Sequence, residues 1–166
     1  MNAGANLSFE TLETERLKAA MGSFATGVTV VATHIDGVDY SMTCNSFNTV
    51  SLDPPMVLWS IRKASGSRDA FAKGGGYTVS VLSATQSDIA MQCTRGTPQE
   101  RLDGIATTRL DSERVIIDDA SAWFDCEIDQ IISAGDHDIL IGKVIAFQSH
   151  DAQPMVYVRG QFTRAQ

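Results

Sequence analysis

Positive charge, histidine, cysteine and long apolar runs are all scarce in this chain. Thirteen Lys and Arg stand against 20 Asp and Glu, a formal net charge of −7. Sequence-independent nucleic-acid binding needs a basic surface to displace phosphate counterions, so that class is set aside. No apolar run approaches the roughly 20 residues that cross a bilayer, which argues against membrane insertion. Residues 1–15 show no basic start followed by an apolar core, so no secretory signal is expected. The three cysteines, Cys44, Cys93 and Cys126, are odd in number and widely spaced. Without a CxxC or a Cys/His pair they offer neither a disulfide framework nor a metal site, and a reduced, cytoplasmic compartment fits. Three histidines leave little material for acid–base catalysis.

What the chain has instead is a dense polar stretch, Met42-Thr43-Cys44-Asn45-Ser46-Phe47-Asn48-Thr49-Val50-Ser51-Leu52-Asp53-Pro54-Pro55. Thr43, Asn45, Ser46, Asn48, Thr49 and Ser51 fall within nine residues that carry no charged side chain. Their amides and hydroxyls both donate and accept hydrogen bonds. Such a segment can read a flat, neutral, polar ring system edge-on. A solvated polar loop is the plain alternative.

A length of 166 residues suits one domain spanning 1–166. Residues 1–7 read as a disordered terminus. A helix is expected from Ser8 or Thr11 to Phe24, where Leu17, Ala20, Met21 and Phe24 repeat at i, i+3, i+4, i+7 along one face. Residues 28–33 are mostly β-branched and read as a strand, turned by Asp36-Gly37 into a partner at 40–43. A strand at 56–61 is entered from Pro54-Pro55, which cannot donate ladder bonds. A short helix near 67–73, a strand at 77–82 and a second short helix at 87–93 follow. Residues 96–119 are the least readable, with apolar content confined to Val115-Ile116-Ile117. Strands resume at 123–132 and 138–147 around Gly135-Asp136, and 155–162 forms a last strand broken by Gly160. Six to eight strands, mostly without helices between them, point to a mainly β fold: an antiparallel barrel with a few short helices, not a doubly wound parallel sheet.

Two short constellations could carry chemistry. His34 follows a strand and His150 lies in a polar loop, so both read as surface residues. His137, in Gly135-Asp136-His137-Asp138, sits at a turn between carboxylates that favour the imidazolium where they come within reach. A solvated turn residue is the equal alternative. Lys63-Ala64-Ser65-Gly66-Ser67-Arg68 combines two hydroxyls, two cations and a glycine at an expected helix start, a chemistry suited to an anion. An ordinary helix cap with exposed basic residues is the alternative. Neither GxxxxGK[ST] nor a strand-borne GxGxxG is present, so nucleotide loops of those kinds are excluded. GxSxG is missing too, and Asp118-Asp119 falls in the least readable region, so a serine or paired-carboxylate hydrolase has no support.

The ordered set of motifs resembles the flavin reductase-like family, the small reductase components of two-component monooxygenases. The matching pieces are Phe24-Ala25-Thr26-Gly27-Val28-Thr29-Val30-Val31, Met42 to Phe47, Val50 to Pro55, Ser65-Gly66-Ser67 and Tyr77 to Leu82. They continue with Gly135-Asp136-His137, Ile141-Gly142 and Tyr157-Val158-Arg159-Gly160, in order over roughly residues 17–163.

That resemblance implies an antiparallel split β-barrel of the Greek-key, FMN-binding type, forming a homodimer with flavin near the subunit interface. It assigns Thr43, Cys44, Asn45, Ser46, Phe47 and Ser51 to the isoalloxazine and ribityl chain. Ser65 and Ser67 take the flavin phosphate, with Lys63 and Arg68 as helpers. Thr26 and Gly27 lie close to flavin and nicotinamide. Asp136 and His137 belong beside the nicotinamide or its phosphates, with His137 as the one candidate for a catalytic role, and Tyr157 and Arg159 are further candidates. No metal is implied. Cys44 stands where the family often has alanine, placing a thiol near the flavin. Residues 112–122 depart from the family's Gly-x-Pro-rich spacing, so no role transfers between about 104 and 122.

The implied activity is reduction of FAD or FMN by NADH, with FAD slightly favoured, and delivery of free reduced flavin to a separate oxygenase. Cofactors supply such chemistry and the protein supplies alignment, which suits a site of neutral donors. Two other readings remain: a flavin- or haem-binding sensor or carrier on a similar barrel, and a dimeric interaction domain whose polar stretch is only a loop.

Overall fold

The computed structural model describes residues 9–165, so the terminal segment 1–7, expected to be disordered, lies outside the described residues. In chain order, α1 (Phe9–Met21) leads into β1 (Thr26–Gly27), β2 (Thr29–Ile35) and β3 (Val38–Cys44). Next come β4 (Asn48–Leu52), β5 (Pro55–Arg62), α2 (Arg68–Lys73) and β6 (Gly76–Val81). After α3 (Ser87–Gln92) and the short β7 (Thr107–Arg109) and β8 (Val115–Ile117) stand two long strands, β9 (Ala122–Ala134) and β10 (His137–Ser149). The hairpin β11 (Met155–Val158) and β12 (Gln161–Arg164) comes last.

The fold is mainly β, as expected. Seven strands form one sheet in the order β3-β2-β6-β9-β10-β5-β4, accompanied by a three-stranded sheet β1-β11-β12 and a two-stranded sheet β7-β8. Every named pair is antiparallel. The β-branched run in β2 suits its place inside the sheet, between β3 and β6, because alternating side chains serve two cores. Val31 joins Trp59, Phe71, Tyr77 and Leu140 on one side, while Val28 and Val30 join Leu82, Ala90, Cys93 and Met155 on the other. Trp59 meets Phe71 and Tyr77 edge-on, with ring centroids at 4.8 and 5.8 Å.

Twelve strands replace the expected six to eight, and the surplus is short. Residues 155–162 split into two strands at Arg159-Gly160, both at positive φ. Residues 48–52 pair with β5 even though polar side chains dominate them, so half of the polar stretch is an edge strand. The least readable region holds the β7–β8 hairpin, where Val115, Ile116 and Ile117 are buried.

The helix ends at Met21, three residues before Phe24, and its expected apolar face lies largely open. Leu17, Met21 and Phe24 are 55%, 66% and 78% exposed. His34 is half-buried instead of free at the surface: its Nδ1 lies 2.7 Å from Asp39 Oδ1, and Arg109 holds the other oxygen of Asp39 at 2.6 Å. Among the described residues no helix is long and apolar enough to cross a membrane.

Candidate functional site

The end of β3 forms one wall of a cavity of about 410 Å³. Thr43, Cys44 and Asn45 line that wall, Val28 lies beside it, and Met91 and Thr94 come from α3 and the turn after it. Tyr157, Gly160 and Phe162, from the β11–β12 hairpin, close the opposite side. Pairing of β1 with β11 sets Thr26 opposite Tyr157 and Gly27 opposite Val156, which brings the first strand's entrance to this hairpin. Tyr157 and Phe162 lean together with ring centroids 5.5 Å apart.

The polar groups of the wall divide sharply in what they have left to offer. Thr43 Oγ1 donates to the Ala90 carbonyl at 2.7 Å, and its N–H donates to the Cys93 carbonyl at 3.3 Å, so Thr43 clamps the wall to α3. Ser46 Oγ donates to the carbonyl of Ser60 and accepts from its N–H. A hydroxyl has one proton to give, so neither Thr43 nor Ser46 keeps a side-chain donor for a ligand. Cys44 Sγ lies 3.1 Å from Thr29 Oγ1; burial pushes its thiol pKa up, against hydrogen bonds from Thr29 and from the backbone N–H groups of Ser46 and Phe47. Phe47 turns inward and stacks on Phe124 at 5.7 Å. Asn45 is exposed at the cavity and makes no side-chain hydrogen bond among the described residues. The segment thus builds a rigid wall with one free amide.

A second set of groups gathers where β5 ends. Arg68 N–H donates to the Ser65 carbonyl at 3.1 Å, and Ser67 N–H reaches Ser65 Oγ at 3.3 Å, folding 65–68 into a tight turn. Ser67 is 1% exposed, and its Oγ has no hydrogen-bond partner. Buried hydroxyls are ordinarily satisfied, so an orphan here fits an anion oxygen as its missing partner. The two cations are already engaged. Lys63 Nζ donates to Ser133 Oγ at 2.6 Å and to the Gly135 carbonyl at 2.7 Å, and Arg68 Nε donates to Asp138 Oδ2 at 2.6 Å. All three bonds tie this segment to the β9–β10 hairpin. In that hairpin His137 Nδ1 lies 2.7 Å from Asp136 Oδ1, a bond that holds the exposed Asp136 carboxyl below the usual range.

The structure therefore places most sequence-derived candidates in two groups. Thr26, Gly27, Thr43, Cys44, Asn45, Ser46 and Tyr157 surround or brace the cavity, and Lys63, Ser65, Ser67, Arg68, Asp136 and His137 share the hairpin corner. The Ser46–Ser60 bridge joins the wall to β5, whose end carries the second group. Ser51 sits in β4 and Arg159 at the β11–β12 turn; neither lines the cavity. Sequence reasoning missed Val28, Met91, Thr94, Gly160 and Phe162. A signal existed for two of them, since Met91 and Thr94 each lie one residue after a buried one, Ala90 and Cys93, and both are exposed. It also missed Asp138, whose partner stands 70 residues away.

Known proteins resemble this chain in sequence and in fold. The chain is 40% identical over 147 residues to the reductase component of a flavin-dependent trigonelline monooxygenase from Acinetobacter baylyi, covering 88% of this chain and 47% of that protein. It is 38% identical to the FMN reductase (NADH) SmoA of Agrobacterium fabrum, covering 87% of this chain and 82% of the relative. The solved structure of the NADH:FAD oxidoreductase SgcE6 from Streptomyces globisporus, in complex with NAD and FAD fragments, superposes with a TM-score of 0.88 at 30% identity over 98% of each chain. The chain spans about half the length of some relatives it matches, the trigonelline reductase component among them. Residues 21–166 match the flavin reductase like domain, and the chain belongs to that family.

Proposed function

We propose that this chain is an NADH-dependent flavin reductase that reduces FMN or FAD and releases reduced flavin to a separate oxygenase. The observation that carries the reading is the pairing of a neutral, braced cavity wall bearing free Asn45 with a turn whose buried Ser67 hydroxyl lacks a partner. A flavin fits both ends: a neutral polar ring for the wall and a phosphate for the turn. The bound flavin would supply the hydride chemistry. The protein's part is alignment: Thr43 and Ser46 hold the wall in place, Asn45 reads the ring edge, and Tyr157 and Phe162 limit the space opposite. His137, half-exposed and held by Asp136, would orient NADH.

The same reading takes residues 1–166 as one domain, with the seven-stranded sheet curling into a split barrel of Greek-key type, and puts the protein in the cytoplasm. A homodimer is supported by apolar surface on the long strands. Beyond Lys143, β10 has no β5 partner, and Ile145 and Phe147 there are 50% and 70% exposed. Exposed apolar groups beside a free strand edge favour pairing with another copy.

The deciding experiment follows NADH absorbance with protein and FMN or FAD. Flavin-dependent oxidation is the expected result, and its absence with both flavins overturns the reading. Flavin binding without oxidation would instead indicate a carrier, and no flavin binding an interaction domain.

A further inference from the structure

Asp138 is buried, at 4% exposure, at the start of β10 between β9 and β5. Its strand position is fixed from both sides, opposite Ile61 of β5 and Ser133 of β9. A buried carboxylate is costly unless paired, and the cation paired with Asp138 among the described residues is Arg68. The bond uses Nε at 2.6 Å, while Nη1 makes only a long 3.4 Å contact to Asp69. A guanidinium gripped at Nε by a rigid strand has its plane set, and the terminal Nη groups remain to donate. Arg68 belongs to the turn that carries Ser65 and the unpartnered Ser67 hydroxyl. Lys63 is not the same kind of group: Ser133 and Gly135 hold its ammonium at 2.6 and 2.7 Å.

We propose that Asp138 is a positioning residue for flavin phosphate recognition, orienting the Arg68 guanidinium so that its free edge and the Ser67 hydroxyl meet the same phosphate. Lys63 braces the turn against the hairpin and contributes little direct phosphate binding. The inference rests on the flavin reading above and assigns the phosphate end of that site a second layer.

Riboflavin carries the ring and ribityl chain of FMN without the phosphate, so the ratio of their dissociation constants isolates this contact. Fluorescence quenching on the full chain should show wild-type protein binding FMN about tenfold or more tighter than riboflavin, the scale of one charge-assisted contact. Asp138→Asn should lower that ratio about fivefold or more while riboflavin affinity stays within about twofold. Arg68→Lys, at a partly exposed position, should also lower it, because one ammonium cannot match the fork that serves Asp138 and phosphate together. This variant decides the matter if Asp138→Asn does not fold. A wild-type ratio in both variants overturns the proposal, as does an equal loss for riboflavin and FMN, which would make Asp138 a general support of the fold. A wild-type protein that binds the two flavins equally overturns the phosphate site itself, and this inference with it.

Discussion

Ser46 Oγ donates to the Ser60 carbonyl at 3.1 Å and accepts from the Ser60 N–H at 3.0 Å, so one side chain completes a strand-like pair with β5. Removing it leaves two backbone groups without their protein partner. Ser46→Ala should therefore lower stability by about 1–2 kcal/mol and weaken flavin binding through a loosened wall. Urea unfolding measures the first effect and flavin titration the second. An unchanged unfolding midpoint would show that the bridge is not structural.

Asn45 gives the opposite pattern. It faces the cavity, is exposed, and holds no internal side-chain hydrogen bond. Asn45→Leu should leave the unfolding midpoint within about 0.5 kcal/mol of wild type and weaken flavin binding about tenfold. Equal flavin affinity in the variant would remove Asn45 from the site.

The contrast between these neighbours shows how far residue types could be read. The density of hydroxyls and amides in 42–51 marked the wall, but not which of them still has a proton to offer. That depends on Ser60 and Ala90, partners 14 and 47 residues away. Local pattern was sufficient for β2, β5, β6, β9 and β10, where β-branched or apolar runs meet clear turns. It failed for β4 and β7, whose polar side chains carry no periodic signal and whose strand form depends on the neighbour each one pairs with. The helix α1 was legible too, from its i, i+3, i+4, i+7 pattern, but that pattern does not reveal that the face lies open.

His137 stands half-exposed with Nδ1 held by Asp136 at 2.7 Å, and Arg62 lies opposite it in the β5–β10 ladder. A residue that orients NADH without joining the chemistry contributes equally to the ground and transition states. His137→Ala should then raise the KM for NADH about threefold to tenfold with kcat held. A collapse of kcat at saturating NADH would give His137 a direct part in the reaction.

Gly142 tests the packing behind the site. A Cβ there would lie 2.6 Å from Tyr77 Oη and 2.9 Å from Cys126 Cβ, in the core shared with Trp59. Tyr77 is fully buried and donates from Oη to Leu140 O at 3.2 Å, so it has no room to retreat. Gly142→Ala should cost about 1–3 kcal/mol by urea unfolding. A neutral result would mean that the ring can shift.

Burial also sets an alkaline limit on stability. It pushes the Cys93 thiol up to about 11, and it pushes Cys126 up to about 12, with the neighbouring Asp125 charge adding to the effect. In the unfolded chain a thiol ionises near 8.5. The folded protein therefore retains protons that the unfolded chain loses. Their stabilising contribution is whole below about pH 8.5 and falls as pH rises toward the folded values, at up to about 1.4 kcal/mol per pH unit for each thiol. Urea midpoints at pH 7.5, 9 and 10 should decline progressively. Cys93→Ala should be less stable at pH 7.5 yet lose less between pH 7.5 and 10, because one of the protons retained by the folded chain is gone. Lysines titrate in both proteins alike, so the difference in slope isolates the thiol. Parallel declines in wild type and variant would show that Cys93 ionises as readily in the fold as in the open chain.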